Sequence, residues 1–352
     1  MSDKGKDAAY YKWGDPTSDN RITHSWNDVA EYFGTKRETI RSAARAYRRE
    51  HTAEFSATGA PLLLKVEGVQ ADGIEPDEDD VFKRACNEYE KVRAVNDRKL
   101  KQHIDFDGGP IALVWAADHH FGDAGVDYER AFAEARIVQD TPGMYMGIGG
   151  DMANSFIIGT LRSARDEARI SIPDEWALVK RYLRLAADKL LFIVPGNHIE
   201  WVRMLTGIDY FADVVGHLTD NVIYDNDEIL FELNVGNWSV PCRARHKWRG
   251  LSQWNDTHEI EKAAKFDQDF IIGFGAHTHK SGLCRDMNVG GRDGMALLAG
   301  SYKRYDPYAR RMGFYKPNCS TAVAVVIDEE HRSLTGFNNL ETCASYMNYV
   351  YE

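Results

Sequence analysis

A chain of 352 residues, 43% hydrophobic and 28% charged, is long enough for one large globular domain and a small one, and its composition excludes a disordered protein. The formal net charge of −11 excludes a protein that is basic all over, so nucleic-acid contact must use a local patch. Five cysteines without CxxC spacing argue against a disulfide framework and a zinc ribbon. With a polar N-terminus and no run of 18 apolar residues, the expectation is a cytoplasmic protein with no membrane partner.

Residues 1–20 read as a flexible polar arm. Residues 26–49 read as two helices around Gly34, and this segment resembles a helix-turn-helix, with the small Ala30 where the helices approach and Gly34 in the turn. Val29, Phe33, Ile40, Ala43, Ala44 and Tyr47 form the apolar faces. Lys36, Arg37, Arg41, Arg45 and Arg48 are the expected nucleic-acid contacts, because the last four fall on one side of the second helix, away from its apolar stripe. The rival reading is a helical hairpin with a solvated basic face, or a helix-turn-helix that binds protein. Residues 62–69 have the pattern of a strand or wing, so this domain is placed at 21–70. An acidic break at 75–80 and a long charged helix from 81 to about 103 make 71–108 a charged helical connector. Gly108-Gly109-Pro110 opens the larger domain, 109–352.

In that domain the apolar runs 111–117, 144–148, 190–194, 229–235, 270–274, 295–299 and 322–327 are each of strand length. Helical spacing fills 128–139 and 175–189. Strands alternating with helices, followed by a strand-rich C-terminal part, predict a layered α/β or α+β sandwich.

Five short stretches there carry metal-ligand chemistry: Asp118-His119-His120, Gly150-Asp151, Gly196-Asn197-His198, the isolated His246, and His277-Thr278-His279. Most stand at or just beyond the end of a predicted strand. Strand alternation would aim Asp118 and His120 at one point, likewise His277 and His279, and would turn His119 away. Carboxylates, imidazoles and an amide oxygen make a mixed N/O set suited to manganese, iron, zinc or nickel.

In composition and order these stretches resemble the calcineurin-like metallophosphoesterase family, over about residues 110–330. The resemblance implies an α/β sandwich of that family's type holding two divalent metal ions, with manganese the first expectation. One ion would be held by Asp118, His120, Asp151 and His279, the other by Asp151, Asn197, His246 and His277, Asp151 bridging. It further implies phosphoester hydrolysis by a hydroxide bridging the ions, with His198 as general acid or charge stabiliser at the leaving oxygen. Two departures stand out. Asn154 occupies a place where the family commonly has an acid, and Ile199 intervenes before Glu200, so the partner that orients His198 is left open.

Basic residues Arg243, Arg245, Lys247 and Arg249 alternate around His246, and a second stretch from Tyr302 to Lys316 interleaves cations and aromatics. Both suit a nucleic-acid backbone and equally a solvated surface. The expected function is a metal-dependent phosphoesterase acting on DNA, as a nuclease or on DNA ends. The alternatives are a phosphomonoesterase or cyclic-nucleotide phosphodiesterase on small substrates, and a non-catalytic DNA-binding regulator on a phosphoesterase fold.

Overall fold

The computed structural model describes residues 25–50, 77–99, 102–155, 170–218, 221–305 and 320–352. The arm at 1–20, the wing at 62–69 and most of the second basic stretch, 306–316, lie outside them. The chain divides into two compact units, Met1–Asp80 and Val81–Glu352.

In the first unit, helices α1 (Trp26–Tyr32) and α2 (Arg37–Glu50) are joined through Gly34. Ser25 and Asp28 cap α1 reciprocally, each side chain accepting from the other's backbone N–H, which satisfies donors that a helix start leaves open. Gly34 takes φ +55°, a left-handed turn that a residue without Cβ adopts cheaply. Val29, Ile40 and Ala44 form a small core, with Trp26, Ala30, Phe33 and Tyr47 packed around it. Lys36, Arg37 and Arg45 are exposed and Arg41 is partly buried. Lys36 precedes the first turn of α2 rather than lying on it.

Helix α3 (Glu78–Lys99) follows. It ends before the expected His103, because Gln102–Phe106 is strand β1, paired in parallel with β6 (Glu228–Val235). Among the described residues the second unit holds two six-stranded mixed sheets. One has the order β1, β6, β7 (Trp238–Arg245), β8 (Ile272–Gly275), β10 (Arg292–Leu298), β9 (Gly282–Val289). The other runs β12 (Ser333–Phe337), β11 (Val323–Asp328), β2 (Ile111–Ala116), β3 (Met144–Ile148), β4 (Leu190–Ile193), β5 (Ile223–Tyr224). The expected layered α/β sandwich is thus the observed one.

Strand β2 shows why its sequence is apolar without alternation: it is buried along its whole length. Ile111, Leu113 and Trp115 face the other sheet, packing with Phe192, Phe231 and Phe274. Ala112, Val114 and Ala116 face helices α4 (Tyr128–Asp140), α5 (Ile172–Ala186), α7 (Tyr210–Gly216) and α9 (Leu340–Tyr351). A strand covered on both faces reads as a continuous hydrophobic run. The indole N–H of Trp115 donates to the Gly275 carbonyl at 2.7 Å, tying one sheet to the other where the polar loops begin. The remaining helices, α6 (Asn197–Thr206) and α8 (His258–Asp267), each follow a loop of the candidate site.

Candidate metal centre

Strands β2, β3 and β4 are parallel neighbours in one sheet, and β7 and β8 are parallel neighbours in the other. Their carboxyl ends therefore open on the same side of the sandwich. The five polar stretches follow these five ends, so topology alone gathers them into one place, where open α/β sheets commonly bind ligands.

The expected strand alternation does not produce the convergence. Strand β2 stops at Ala116, and Asp118 and His120 take left-handed φ values of +50° and +49°. Asp151, His277 and His279 do the same, at +46°, +73° and +57°. Of the eight non-glycine residues with positive φ among the described residues, five belong to the expected ligand set. Each such residue costs on the order of 1 kcal/mol or more, and the surrounding backbone holds them there. Asp118 N–H donates to the Gly150 carbonyl, His120 N–H to the Asp151 carbonyl and Asp151 N–H to the Pro195 carbonyl, at 2.9–3.0 Å. His119 does point away from the site, but through this turn: its ring stacks on Tyr302 at 4.7 Å and meets the edge of Tyr182 at 4.6 Å.

Two glycines are required by space as well as by φ. A Cβ on Gly196 (φ +81°) would stand 2.4 Å from Asp151 Oδ1, and one on Gly150 (φ +95°) would stand 2.8 Å from His246 Nδ1. The Gly-Asp and Gly-Asn-His signatures are thus the places where the β3 and β4 loops touch.

The donor atoms form adjoining clusters. In the first, His120 Nε2 lies 3.0 Å from His279 Nε2, and Asp118 Oδ1 lies 3.9 and 3.7 Å from these two nitrogens. Asp118 Oδ1 is buried without a hydrogen-bond partner, while its Oδ2 accepts from the His277 N–H at 2.8 Å. In the second, His246 Nε2 is 3.1 Å from each of Asp151 Oδ2, Asn197 Oδ1 and His277 Nδ1. His246 Nδ1–H donates to the Gly149 carbonyl at 2.6 Å, which turns Nε2 to the cluster, the kind of outer hydrogen bond that orients a metal-ligating histidine. A third grouping, His120, Asp151 and His198, joins the two.

This donor set fits divalent cations. Lone pairs of nitrogen and oxygen crowd together in the interior, where they repel unless positive charge stands among them. The electrostatics agree. Burial raises the Asp118 carboxyl to about 7, with Asp151 adding to the rise and His246 opposing it. Burial would also raise Asp151, but His246, His198 and His120 hold it well below the usual carboxylate range. Burial opposes a charged His246, yet Asp151 and Asp118 outweigh it and lift its pKa to about 9. Burial and the positive neighbour His246 lower His277 to about 4. The cluster attracts positive charge and keeps His277 neutral, as a ligand must be.

His198 sits in the first turn of α6, beside the second cluster. Its backbone N–H donates to Asp151 Oδ1 at 2.9 Å, and its Nε2 lies 3.8 Å from Asp151 Oδ2. The partner left open by the sequence is a main-chain atom: His198 Nδ1–H donates to the Asn154 carbonyl oxygen at 2.5 Å. Glu200 is exposed, 3.7 Å from Arg203, and Ile199 is buried in the helix-side core. Trp201, one turn along α6, lies against the His198 ring, with centroids 4.3 Å apart and the planes tilted by 32°. Sequence reading missed this support, although an i, i+3 aromatic on a helix is a usable signal.

The basic residues near the site are largely committed elsewhere. Arg243 pairs with Glu228 at 2.8 Å and Asp267 at 2.6 Å. Arg245 lies 3.4 Å from Glu228 and over the Trp248 ring. In the second stretch, Tyr302 is buried with its hydroxyl donating to Glu134, and Lys303 is buried with its ammonium 2.8 Å from Asp123.

No family model matches the sequence, and no curated protein matches it. Among solved structures the chain is similar to the calcineurin-like phosphoesterase YfkN from Bacillus subtilis, at 12% identity over 69% of this chain and 99% of that one, TM-score 0.33. It is similar to Vps29 from Entamoeba histolytica complexed with zinc, at 14% identity over 65% and 100%, TM-score 0.32. The Pseudomonas putida nuclease MPE matches at 13% identity over 64% and 87%, TM-score 0.30. Likeness at this level does not extend to chemistry, which is argued from the site.

Proposed function

We propose that this protein is a dinuclear metal-dependent phosphoesterase acting on nucleic acid, most simply DNA. The observation that carries the reading is the pair of adjoining donor clusters at the carboxyl ends of five strands, with Asp151 in the second and His198 beside it. Asp118, His120 and His279 would hold one ion, and Asn197, His246 and His277 the other, with Asp151 reaching both. When bound, two such ions supply Lewis-acid charge and an activated water for in-line attack on phosphorus. Manganese is the expected metal, and iron, zinc and nickel are compatible with the donors.

The chain's own residues do the rest. His246 is held by the Gly149 carbonyl with Nε2 inward, so its ligand geometry is set before substrate arrives. His198 is held by the Asn154 carbonyl with Nε2 inward, where it can give a proton to the leaving oxygen. The acceptor that orients His198 at Nδ1 is a neutral carbonyl, while Asp151 Oδ2 lies 3.8 Å from its Nε2. The DNA assignment rests on Lys36, Arg37, Arg41 and Arg45 beside a small helical core, with Arg48 added by its spacing in the sequence.

The test is a manganese-supplemented panel of a chromogenic phosphodiester, a phosphomonoester, and single- and double-stranded DNA, run with wild type and Asp151→Asn. The reading expects hydrolysis of the diester and of DNA by wild type alone. No hydrolysis of any of them by wild type overturns it. Hydrolysis confined to the monoester replaces the DNA assignment with a small-substrate one.

A further inference from the structure

Helix α3 leaves an apolar stripe in solvent. Every side chain from Glu78 to Val95 is exposed, including Phe82 at 69%, Tyr89 at 65% and Val92 at 58%. Among the described residues nothing buries this stripe, and most helical stability in proteins comes from packing an apolar face. Phe82, Ala85, Tyr89 and Val92 follow one another at steps of three, four and three, within an arc of about 80° on the helix. Asn96 continues the rhythm. This is a heptad seam two heptads long, with Phe82, Tyr89 and Asn96 at a and Ala85 and Val92 at d.

We propose that α3 forms a parallel two-stranded coiled coil with a second copy of this chain. The flanking charges choose this occupant. With Phe82 at a, Glu88 falls at g and Arg93 at the following e. In a parallel pair each g faces the partner's next e, so Glu88 of one copy meets Arg93 of the other, twice by symmetry. Val81 at g likewise meets Cys86 at e, an apolar pair. An antiparallel pair centred on the same seam sets Glu88 against Glu88. An asparagine at one a position is also the residue that sets register in two-stranded coils. Within one helix Glu88 now pairs with Lys91 at 2.6 Å and Arg93 with Glu90 at 3.6 Å, all with side chains more than half exposed. Such pairs hold weakly and are readily exchanged. A membrane surface suits the helix poorly, since its six acidic and six basic residues cancel, whereas surface helices carry a basic polar face. Pairing would join two N-terminal helix pairs in one assembly, which strengthens binding to a ligand with two sites by effective concentration.

The test is sedimentation equilibrium of the full-length protein, which does not depend on metal or activity and so stands apart from the proposed chemistry. Wild type is expected at twice the chain mass of 39.9 kDa. Phe82→Glu/Tyr89→Glu is expected at the single mass, with hydrolysis of a small phosphodiester unchanged. Glu88→Arg weakens the dimer about tenfold, and adding Arg93→Glu restores it. Ala85→Cys in a Cys86→Ser background cross-links under oxidation, because d faces d only in the parallel arrangement. A monomeric wild type, a dimer that survives Phe82→Glu/Tyr89→Glu, or failure of Ala85→Cys to cross-link overturns the proposal.

Discussion

The loops after β2, β3, β4, β7 and β8 and the helix pair of residues 25–50 both carry charge, and they carry it in opposite ways. In the loops, Asp118, Asp151 and His246 are buried, the two aspartates on left-handed backbone and all three held by main-chain hydrogen bonds. In the helix pair, Lys36, Arg37 and Arg45 stand in water on a core of three buried residues. A buried charge acts through position, so one misplaced atom undoes it. An exposed charge acts by number and is screened by salt. Single substitutions should therefore have large effects in the first region and small, additive ones in the second.

The sharpest contrast is Asp151→Asn. Hydrolysis of any substrate is expected to fall on the order of 1,000-fold, measured as kcat/KM on a chromogenic diester. A loss below tenfold would mean that Asp151 does not sit between the two clusters in function. His198→Gln is expected to lower kcat about 100-fold for a diester with a poor leaving group and much less for a nitrophenyl ester, which needs no proton. Asn154→Ala should leave that pattern almost unchanged, because the carbonyl rather than the side chain holds His198. A loss for Asn154→Ala as large as for His198→Gln would contradict this orientation.

On the exposed side, Arg37→Ala with Arg45→Ala is expected to weaken DNA binding about tenfold and to reduce the slope of log K against log salt by about two. Hydrolysis of the small diester should not change. Unaltered DNA affinity would remove the helix pair from the nucleic-acid account.

A smaller effect concerns Glu175, which burial raises to about 7, although the Ser155 N–H and hydroxyl favour its charged form. Its folded pKa exceeds the unfolded one, so its contribution is fully present below about pH 4.5 and is lost as pH rises through 7, by on the order of 3 kcal/mol. Thermal melts of Glu175→Gln should then fall less between pH 5 and 8 than those of wild type. Parallel curves would show that Glu175 is not held protonated.

Much of this was legible in the sequence, and the reasons are physical. Strands β2, β3 and β4 announce themselves because burial on two faces leaves continuous apolar runs. Strand β7 does not, because Pro241, Arg243 and Arg245 alternate with buried Val240, Cys242 and Ala244. Strand β1, Gln102–Phe106, alternates partly buried and exposed residues, and was absorbed into a helix. The ligand residue types are written in the motifs, and the structure gathers them. The device that aims them is not written there: left-handed φ at aspartate and histidine has no residue signature, and only Gly150 and Gly196 mark it. The support of His198 by a carbonyl is likewise invisible, because every residue has one.

The most direct test of the central claim is metal content measured beside activity. Wild-type protein dialysed against manganese is expected to retain about two ions per chain and to hydrolyse the diester. His120→Ala and His246→Ala should each retain about one and lose activity. One ion or none in active wild type, or two ions in both variants, would contradict the assignment of these clusters as a dinuclear site.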